Sequence, residues 1–239
     1  MRKVISFCVW GKSPIYNYGL YENALLLPKV FPDWIMVVYF TKTADLEVIR
    51  ELVKMKKVEC IPVDFPDNSR NTMLRFVAAF DPDNDVVIFR DADSRLLKRD
   101  FDAVNAWLKT GKELHIIRDH PFNGIRNRIQ AGMWGVRNQF LMEENIILKF
   151  YKYFSDTKNS KWTIDQKYLG KFIYPLLNKN NSLIHSNFFK GEDWAQPFPQ
   201  TDDERKDYYF IGATVNNTEN ASKKFKKENE IHQKIRHCK

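Results

Sequence analysis

Long apolar runs are missing from this 239-residue chain. The longest, such as residues 34–40, fall far short of the roughly 20 residues that a membrane-spanning helix needs. The charged start Met1-Arg2-Lys3 leads into a short apolar run, residues 4–10, which ends at Gly11-Lys12 without a small-residue cleavage pattern. A first core strand is expected there rather than a signal peptide. Cysteine is scarce too: Cys8 and Cys60 lie in apolar, strand-like runs and Cys238 near the end. Three scattered thiols make neither a disulfide framework nor a zinc site. They are expected to be two buried thiols and one exposed one in a reducing compartment. Glycine is sparse, with nine residues, and no Gly-X-X-X-X-Gly-Lys or Gly-X-Gly-X-X-Gly occurs. Nucleotide hydrolysis on a phosphate loop and dinucleotide redox chemistry therefore lose support. No internal repeat is visible.

What is present is ordinary globular composition, 44% hydrophobic and 28% charged, which excludes collagen-like, low-complexity and wholly disordered chains. The length suits one large α/β domain or two small ones. The net charge of +8 is concentrated at one end. Residues 222–239 hold seven Lys/Arg against Glu228 and Glu230, so this tail carries +5 and the rest only +3. A basic pI thus does not by itself make a nucleic-acid protein, and no nucleic acid is expected as a partner. Two glycosylation sequons, at Asn216 and Asn220, are read as chance matches in an Asn-rich stretch.

Short β-rich runs alternate with helical patterns. Residues 3–10, 35–40, 58–63, 85–89 and 114–118 read as strands; 21–28, 44–55, 72–80 and 101–109 read as helices. Pro32-Asp33, Pro66-Asp67-Asn68 and Pro82-Asp83-Asn84 punctuate the joints. Such alternation predicts a largely parallel sheet covered by helices on both faces. Further strands are expected at 132–137 and 182–187, helices at 139–154 and 164–177, and an ordered loop or lid at 188–207.

The most informative segment is Val86-Val87-Ile88-Phe89-Arg90-Asp91-Ala92-Asp93. A buried apolar strand runs into two carboxylates separated by one small residue. In extended chain, side chains at i and i+2 point the same way. Asp91 and Asp93 are therefore expected to converge at the carboxyl end of a central strand, where open α/β sheets bind ligands. Two like charges this close are costly unless a cation lies between them, and a hard divalent metal such as Mn²⁺ or Mg²⁺ suits carboxylate oxygens. Small Ala92 is read as leaving room for a ligand beside the backbone.

These residues resemble the GT-A nucleotide-sugar-dependent glycosyltransferases, of the glycogenin and lipopolysaccharide galactosyltransferase type and small viral or bacterial transferases. The elements fall in the family's order: Arg75 upstream of Asp91-Ala92-Asp93, then Gln130-Ala131-Gly132, then Asp165-Gln166, then His185. The sequence departs from the family at Gln130, where Asn is usual, and after His185, where His-X-X-Gly-X-X-Lys is unmatched and only Lys190 lies nearby.

The resemblance implies a single α/β domain of GT-A, Rossmann-like type over residues 1–215, its mostly parallel sheet flanked by helices. Its donor-binding half is residues 1–118 and its acceptor-side half 119–215; residues 216–239 form a basic tail. It implies a metal held by Asp91, Asp93 and His185, bridging the diphosphate of a nucleoside-diphosphate sugar, UDP-linked by expectation. Donor contacts are assigned to Val9, Trp10, Gly11, Tyr18, Asn23, Arg75, Asp91, Ala92 and Lys190. Asp165, Gln166 and Asp119 are assigned to the acceptor and the chemistry. Trp134, Trp162, Trp194 and the pair Phe188–Phe189 are weighed as sugar-stacking rings against core positions. Related enzymes retain anomeric configuration, which enters here by analogy only. The expected acceptor is a glycan, glycolipid or glycoprotein, and the expected location cytoplasmic. The tail is read as a solvated end or as a contact with an anionic membrane surface. Two alternatives stand beside this reading: a metal-dependent nucleotidyl or phosphoryl transferase, and a non-catalytic nucleotide-sugar-binding module.

Overall fold

β-Branched and aromatic runs lie side by side in one sheet, and the helices between them cover its two faces. The computed structural model of the chain describes residues 1–120, 123, 128–156, 163–188, 191–199 and 210–215. The basic tail, Lys190, Trp162, Phe189, Cys238 and both sequons lie outside the described residues. Strands β1 (Lys3–Val9), β2 (Ile35–Thr41), β3 (Val58–Val63), β4 (Val86–Phe89), β5 (Leu114–Arg118), β6 (Trp134–Arg137) and β7 (Ser182–Ser186) form a seven-stranded sheet in the order β3-β2-β1-β4-β6-β5-β7. The ladders β1–β2, β1–β4, β2–β3 and β5–β7 are parallel. Strand β6 is antiparallel to both of its neighbours, β4 and β5. The other six strands therefore run one way, and their carboxyl ends make a single rim.

Helices α1 (Pro14–Val30), α2 (Leu46–Val53) and α3 (Lys98–Thr110) pack a core around Phe7, Leu20, Trp34, Met36, Leu52, Ile88 and Trp107. On the opposite face a 3-10 segment (Ser69–Phe80) and helices α4 (Asn138–Glu143), α5 (Ile146–Asp156) and α6 (Ile164–Tyr168) enclose Val4, Val37, Phe76, Phe89, Trp134, Phe150 and Tyr168. Trp134 stacks on Phe89 with ring centroids 4.3 Å apart and takes Phe76 edge-on at 5.4 Å. Its 1% exposure makes it a core residue rather than a sugar platform. Among the described helices none is long and apolar enough to cross a membrane.

The chain is the single α/β domain with a mostly parallel, helix-flanked sheet that the alternation predicts. The two expected halves share that sheet, because β6 lies between β4 and β5. Local differences have identifiable causes. Helix α1 starts at Pro14, earlier than the periodicity indicates, because proline's fixed φ and missing N–H suit a first helical turn. The expected helix over 139–154 is broken into α4 and α5 at Asn145, which adopts a left-handed φ of 54°. Beyond α6 the backbone loosens into a π turn (Leu169–Ile173) and a 3-10 turn (Tyr174–Leu176), where Pro175 has no N–H to continue the ladder. Cys8 is buried as expected, whereas Cys60 is only half-buried.

Candidate functional site at the carboxyl rim of the sheet

Strand β4 ends at Phe89, and the acidic pair lies just past it in a turn rather than in extended chain. Ser94 closes the turn: its N–H and its hydroxyl both donate to the Asp91 carbonyl, at 3.2 and 2.8 Å. Asn23 of α1 clamps the turn from below. Its Nδ2 donates to the Ser94 carbonyl (2.8 Å), and its Oδ1 accepts from the Leu96 N–H (2.9 Å), both in the interior. Asn23 thus bears on this region by holding the turn. Ala92 is buried under α1. Its carbonyl lies so close to Gly19 that a Cβ there would come within 2.0 Å of the oxygen. The small residue between the aspartates therefore serves helix packing, a different use from the ligand space read from the sequence.

Arg75 joins the acidic turn to the opposite face. It protrudes from the 3-10 segment, is 4% exposed, and donates through Nη1 to Asp91 Oδ1 and through Nη2 to Asp165 Oδ2 at 2.7 Å. Burial opposes its charge, but Asp91 and Asp165 more than compensate, and its pKa lies above the ordinary value. Asp165 also accepts from the Gln166 N–H at 2.8 Å, and Gln166 Nε2 donates to Gln130 Oε1 at 3.0 Å. Two residues on, Gly132 backs Asp91: a Cβ would lie 2.1 Å from Asp91 Oδ2. Arg75, Asp91, Gln130, Gly132, Asp165 and Gln166, scattered along the chain, are thus one contiguous cluster.

Beside it lie the ends of β1 and β2. Val9 is buried and Trp10 packs partly against the core. Gly11 takes a left-handed φ of 64°; its N–H donates to Thr43 Oγ1 (2.9 Å), and its carbonyl accepts from Asn17 Nδ2 (3.0 Å). Asp67 accepts from Thr41 Oγ1 at 3.0 Å and from Thr43 Oγ1 at 2.6 and 2.7 Å. Tyr18 packs against the α1 core, while Tyr16 is near enough to Asp93 and Asp91 that burial, then their charges, raise its pKa. Sequence reasoning passed over Thr41, Thr43, Asp67 and Asn17. The only trace of them was the Pro66-Asp67-Asn68 joint, read as punctuation.

Two other expected residues stand apart. His185 lies on β7, three strands from β4, or about 14 Å at the usual spacing. It is 2% exposed, hydrogen-bonds His115 (Nδ1 to Nε2, 2.8 Å) and stacks on Phe198. Burial and the nearby Arg99 push its pKa down to about 4, so it is neutral at pH 7. Asp119 is withdrawn from solvent in an ion pair: Arg99 Nε and Nη2 each donate to it at 3.0 Å, and the Ile211 N–H donates at 3.1 Å. With these donors and no side-chain exposure, the Asp119 carboxylate is out of reach of a ligand at the surface. Lys190 lies outside the described residues. Part of the expected lid, residues 191–199, is anchored: Arg118 donates to both Glu192 oxygens, and Gln196 pairs with β7.

The acidic turn concentrates negative charge. Burial, then the charge of Asp91, raises the pKa of Asp93, against hydrogen bonding from Thr214 and the more distant Arg75. Asp91 retains 39% side-chain exposure, so a ligand can reach it. Among the described residues no three His, Cys, Asp or Glu side chains gather as a metal centre. Asp91 and Asp93 could contribute two carboxylates to a cation whose remaining positions ligand oxygens or water would fill, with His185 standing apart on β7.

No known protein family matches this sequence, and no curated protein does. Among solved structures, S. aureus TarS 1-349 is similar over 70% of this chain and 54% of its own, at 16% identity and a TM-score of 0.48. The same fragment in complex with UDP-GlcNAc is similar over 61% and 48%, at 15% identity and a TM-score of 0.46. The 4-diphosphocytidyl-2C-methyl-D-erythritol synthase of Anaerococcus prevotii is similar over 70% and 81%, at 13% identity and a TM-score of 0.44. The chain spans about half the length of the TarS fragment, 54% in the first of these comparisons.

Proposed function

We propose that this chain is a metal-dependent glycosyltransferase that takes a sugar from a nucleoside diphosphate, UDP by preference, and gives it to a carbohydrate-bearing acceptor. The observation that carries the reading is Arg75 bridging Asp91 and Asp165. It draws the segments that resemble GT-A enzymes, all but that of His185, into one cluster at the rim where α/β sheets bind ligands.

Asp91 and Asp93 would hold a divalent cation such as Mn²⁺ or Mg²⁺. When bound, the cation supplies Lewis-acid stabilisation of the charge that gathers on a departing diphosphate. Arg75 fixes the direction of the Asp91 carboxylate. Gly132 gives Asp91 the space to lie against the backbone. Thr41, Thr43, Asp67 and Gly11 form a polar end to β1 and β2 that suits the base and ribose, with Tyr16 beside the acidic turn. Asp165 and Gln166, tied to Arg75 and Gln130, are assigned to the sugar and acceptor side. Asp119 and His185 are assigned supporting roles.

The test is titration calorimetry with UDP and other nucleoside diphosphates, with and without Mn²⁺, on the wild type and Asp93→Ala. Metal-dependent binding of a nucleoside diphosphate, lost in the variant, is the expected result. Slow hydrolysis of a nucleotide sugar by the wild type separates a transferase from a binding module. Diphosphate binding that ignores both Mn²⁺ and Asp93 would overturn the assignment.

A further inference from the structure

Residues 210–215 connect the end of β5 to the acidic turn after β4 and are fastened to both. At the β5 end the Ile211 N–H donates to Asp119 Oδ2 at 3.1 Å. The Ile211 side chain is 1% exposed and packs with Ile117, Met133 and Phe198. The backbone then folds back, with the Ala213 N–H donating to the Phe210 carbonyl at 3.0 Å and Gly212 at a φ of 84°. Gly212 is pressed against Met133, where a Cβ would come within 2.7 Å of Sδ. At the other end two bonds meet a single residue. The Val215 N–H donates to the Asp93 carbonyl at 2.8 Å, and the Thr214 hydroxyl donates to Asp93 Oδ2 at 3.1 Å.

We infer that residues 210–215 are a strap that positions Asp93 for a divalent cation, with Thr214 as the positioning residue and the Arg99–Asp119 pair as its anchor. The inference rests on the metal-dependent reading above. Asp93 shares its turn with the like charge of Asp91, and repulsion favours rotation of its carboxylate away. The backbone bond from Val215 fixes the main chain but leaves the side chain free to turn. The Thr214 hydroxyl holds one carboxylate oxygen and leaves the other, with a second lone pair on the first, for a cation. Asp119 thereby acquires a task without touching a ligand: its bond to Ile211 sets where the strap begins, and so where Thr214 ends.

Mn²⁺ uptake in the presence of UDP, followed by titration calorimetry and by the loss of the free-ion electron paramagnetic resonance signal, tests this without turnover. Wild type, Thr214→Val, Thr214→Ser and Asp93→Ala are compared, and each is melted without metal to verify the fold. Thr214→Val is expected to weaken Mn²⁺ binding about five- to tenfold, the scale of one ordinary solvent-exposed hydrogen bond, with an unchanged melting temperature. Thr214→Ser is expected to restore it to within about twofold. If Thr214→Val binds Mn²⁺ as the wild type does while Asp93→Ala has lost it, or if serine fails to rescue, the strap's role is overturned and the metal reading stands. If the wild type itself takes up no Mn²⁺ with UDP, both fall.

Discussion

The Arg75 guanidinium is shared between two carboxylates far apart in the sequence, Asp91 and Asp165, and it is almost wholly buried while doing so. Asp165 is also buried, with a side-chain exposure of 8%. Removing the arginine strands that charge. Arg75→Met should cost about 3–5 kcal/mol, the usual penalty for breaking a buried pair on one side, read from urea unfolding. Asp165→Asn in the same background should recover part of the loss. A neutral Arg75→Met would mean that solvent already reaches Asp165.

Two glycines make separable predictions. At Gly19 the added methyl would meet the Ala92 backbone, which cannot swing aside, so Gly19→Ala should lower the melting temperature by the equivalent of about 1–3 kcal/mol. At Gly132 it would meet the Asp91 carboxylate, the end of a side chain. Gly132→Ala should therefore spare stability more than Gly19→Ala does and displace Asp91. Metal-dependent diphosphate binding should drop at least as far as in Asp91→Asn, which calorimetry reads directly.

Asn23→Ala should loosen the acidic turn from beneath. The Ser94 carbonyl and the Leu96 N–H each lose a buried partner, at about 1–3 kcal/mol per group left unpaired. Faster amide exchange at Leu96 is the specific signature. Unchanged exchange there would mean the turn holds itself.

The buried histidines predict an acid sensitivity of definite sign. An unfolded histidine takes up a proton near its ordinary pKa of about 6.5, whereas folded His185 resists until about 4, from burial and then Arg99. His115 is lowered as well, by burial first and then by His185. The unfolded state thus binds more protons in this window. Stability is full above about 6.5 and falls as the pH drops towards 4. His185→Asn should flatten that fall in melting temperature; equal slopes for wild type and variant would contradict it.

How far the sequence could be read depended on the kind of signal. Strands β3 and β5 are legible to their end residues, because bounded apolar runs with flanking turn residues admit little else. The cluster around Arg75 was approachable because its members stand in a recognisable order along the chain. Thr214 and Asp67 were not, since a polar residue bonded across a long sequence separation leaves no periodic trace; Thr214 and Asp93 are 121 positions apart. The surroundings of His185 were hidden differently. Its pairing with His115 depends on the β5–β7 register, which sets the residues of β5 opposite those of β7 and is not encoded in either segment alone. Strand alternation predicts that the aspartates converge from extended chain, whereas both lie in a turn that Ser94 closes onto the Asp91 carbonyl.

The reversed direction of β6 has an architectural consequence. A chain that leaves a parallel strand and enters an antiparallel one returns to the sheet at the level where it departed. The connection from β5 to β6 therefore begins and ends on the carboxyl rim, and as it re-enters it brings Gln130 to Gln166 and Gly132 against Asp91. Insertions or substitutions within that connection can reshape the rim beside Asp91 while every ladder of the sheet keeps its register.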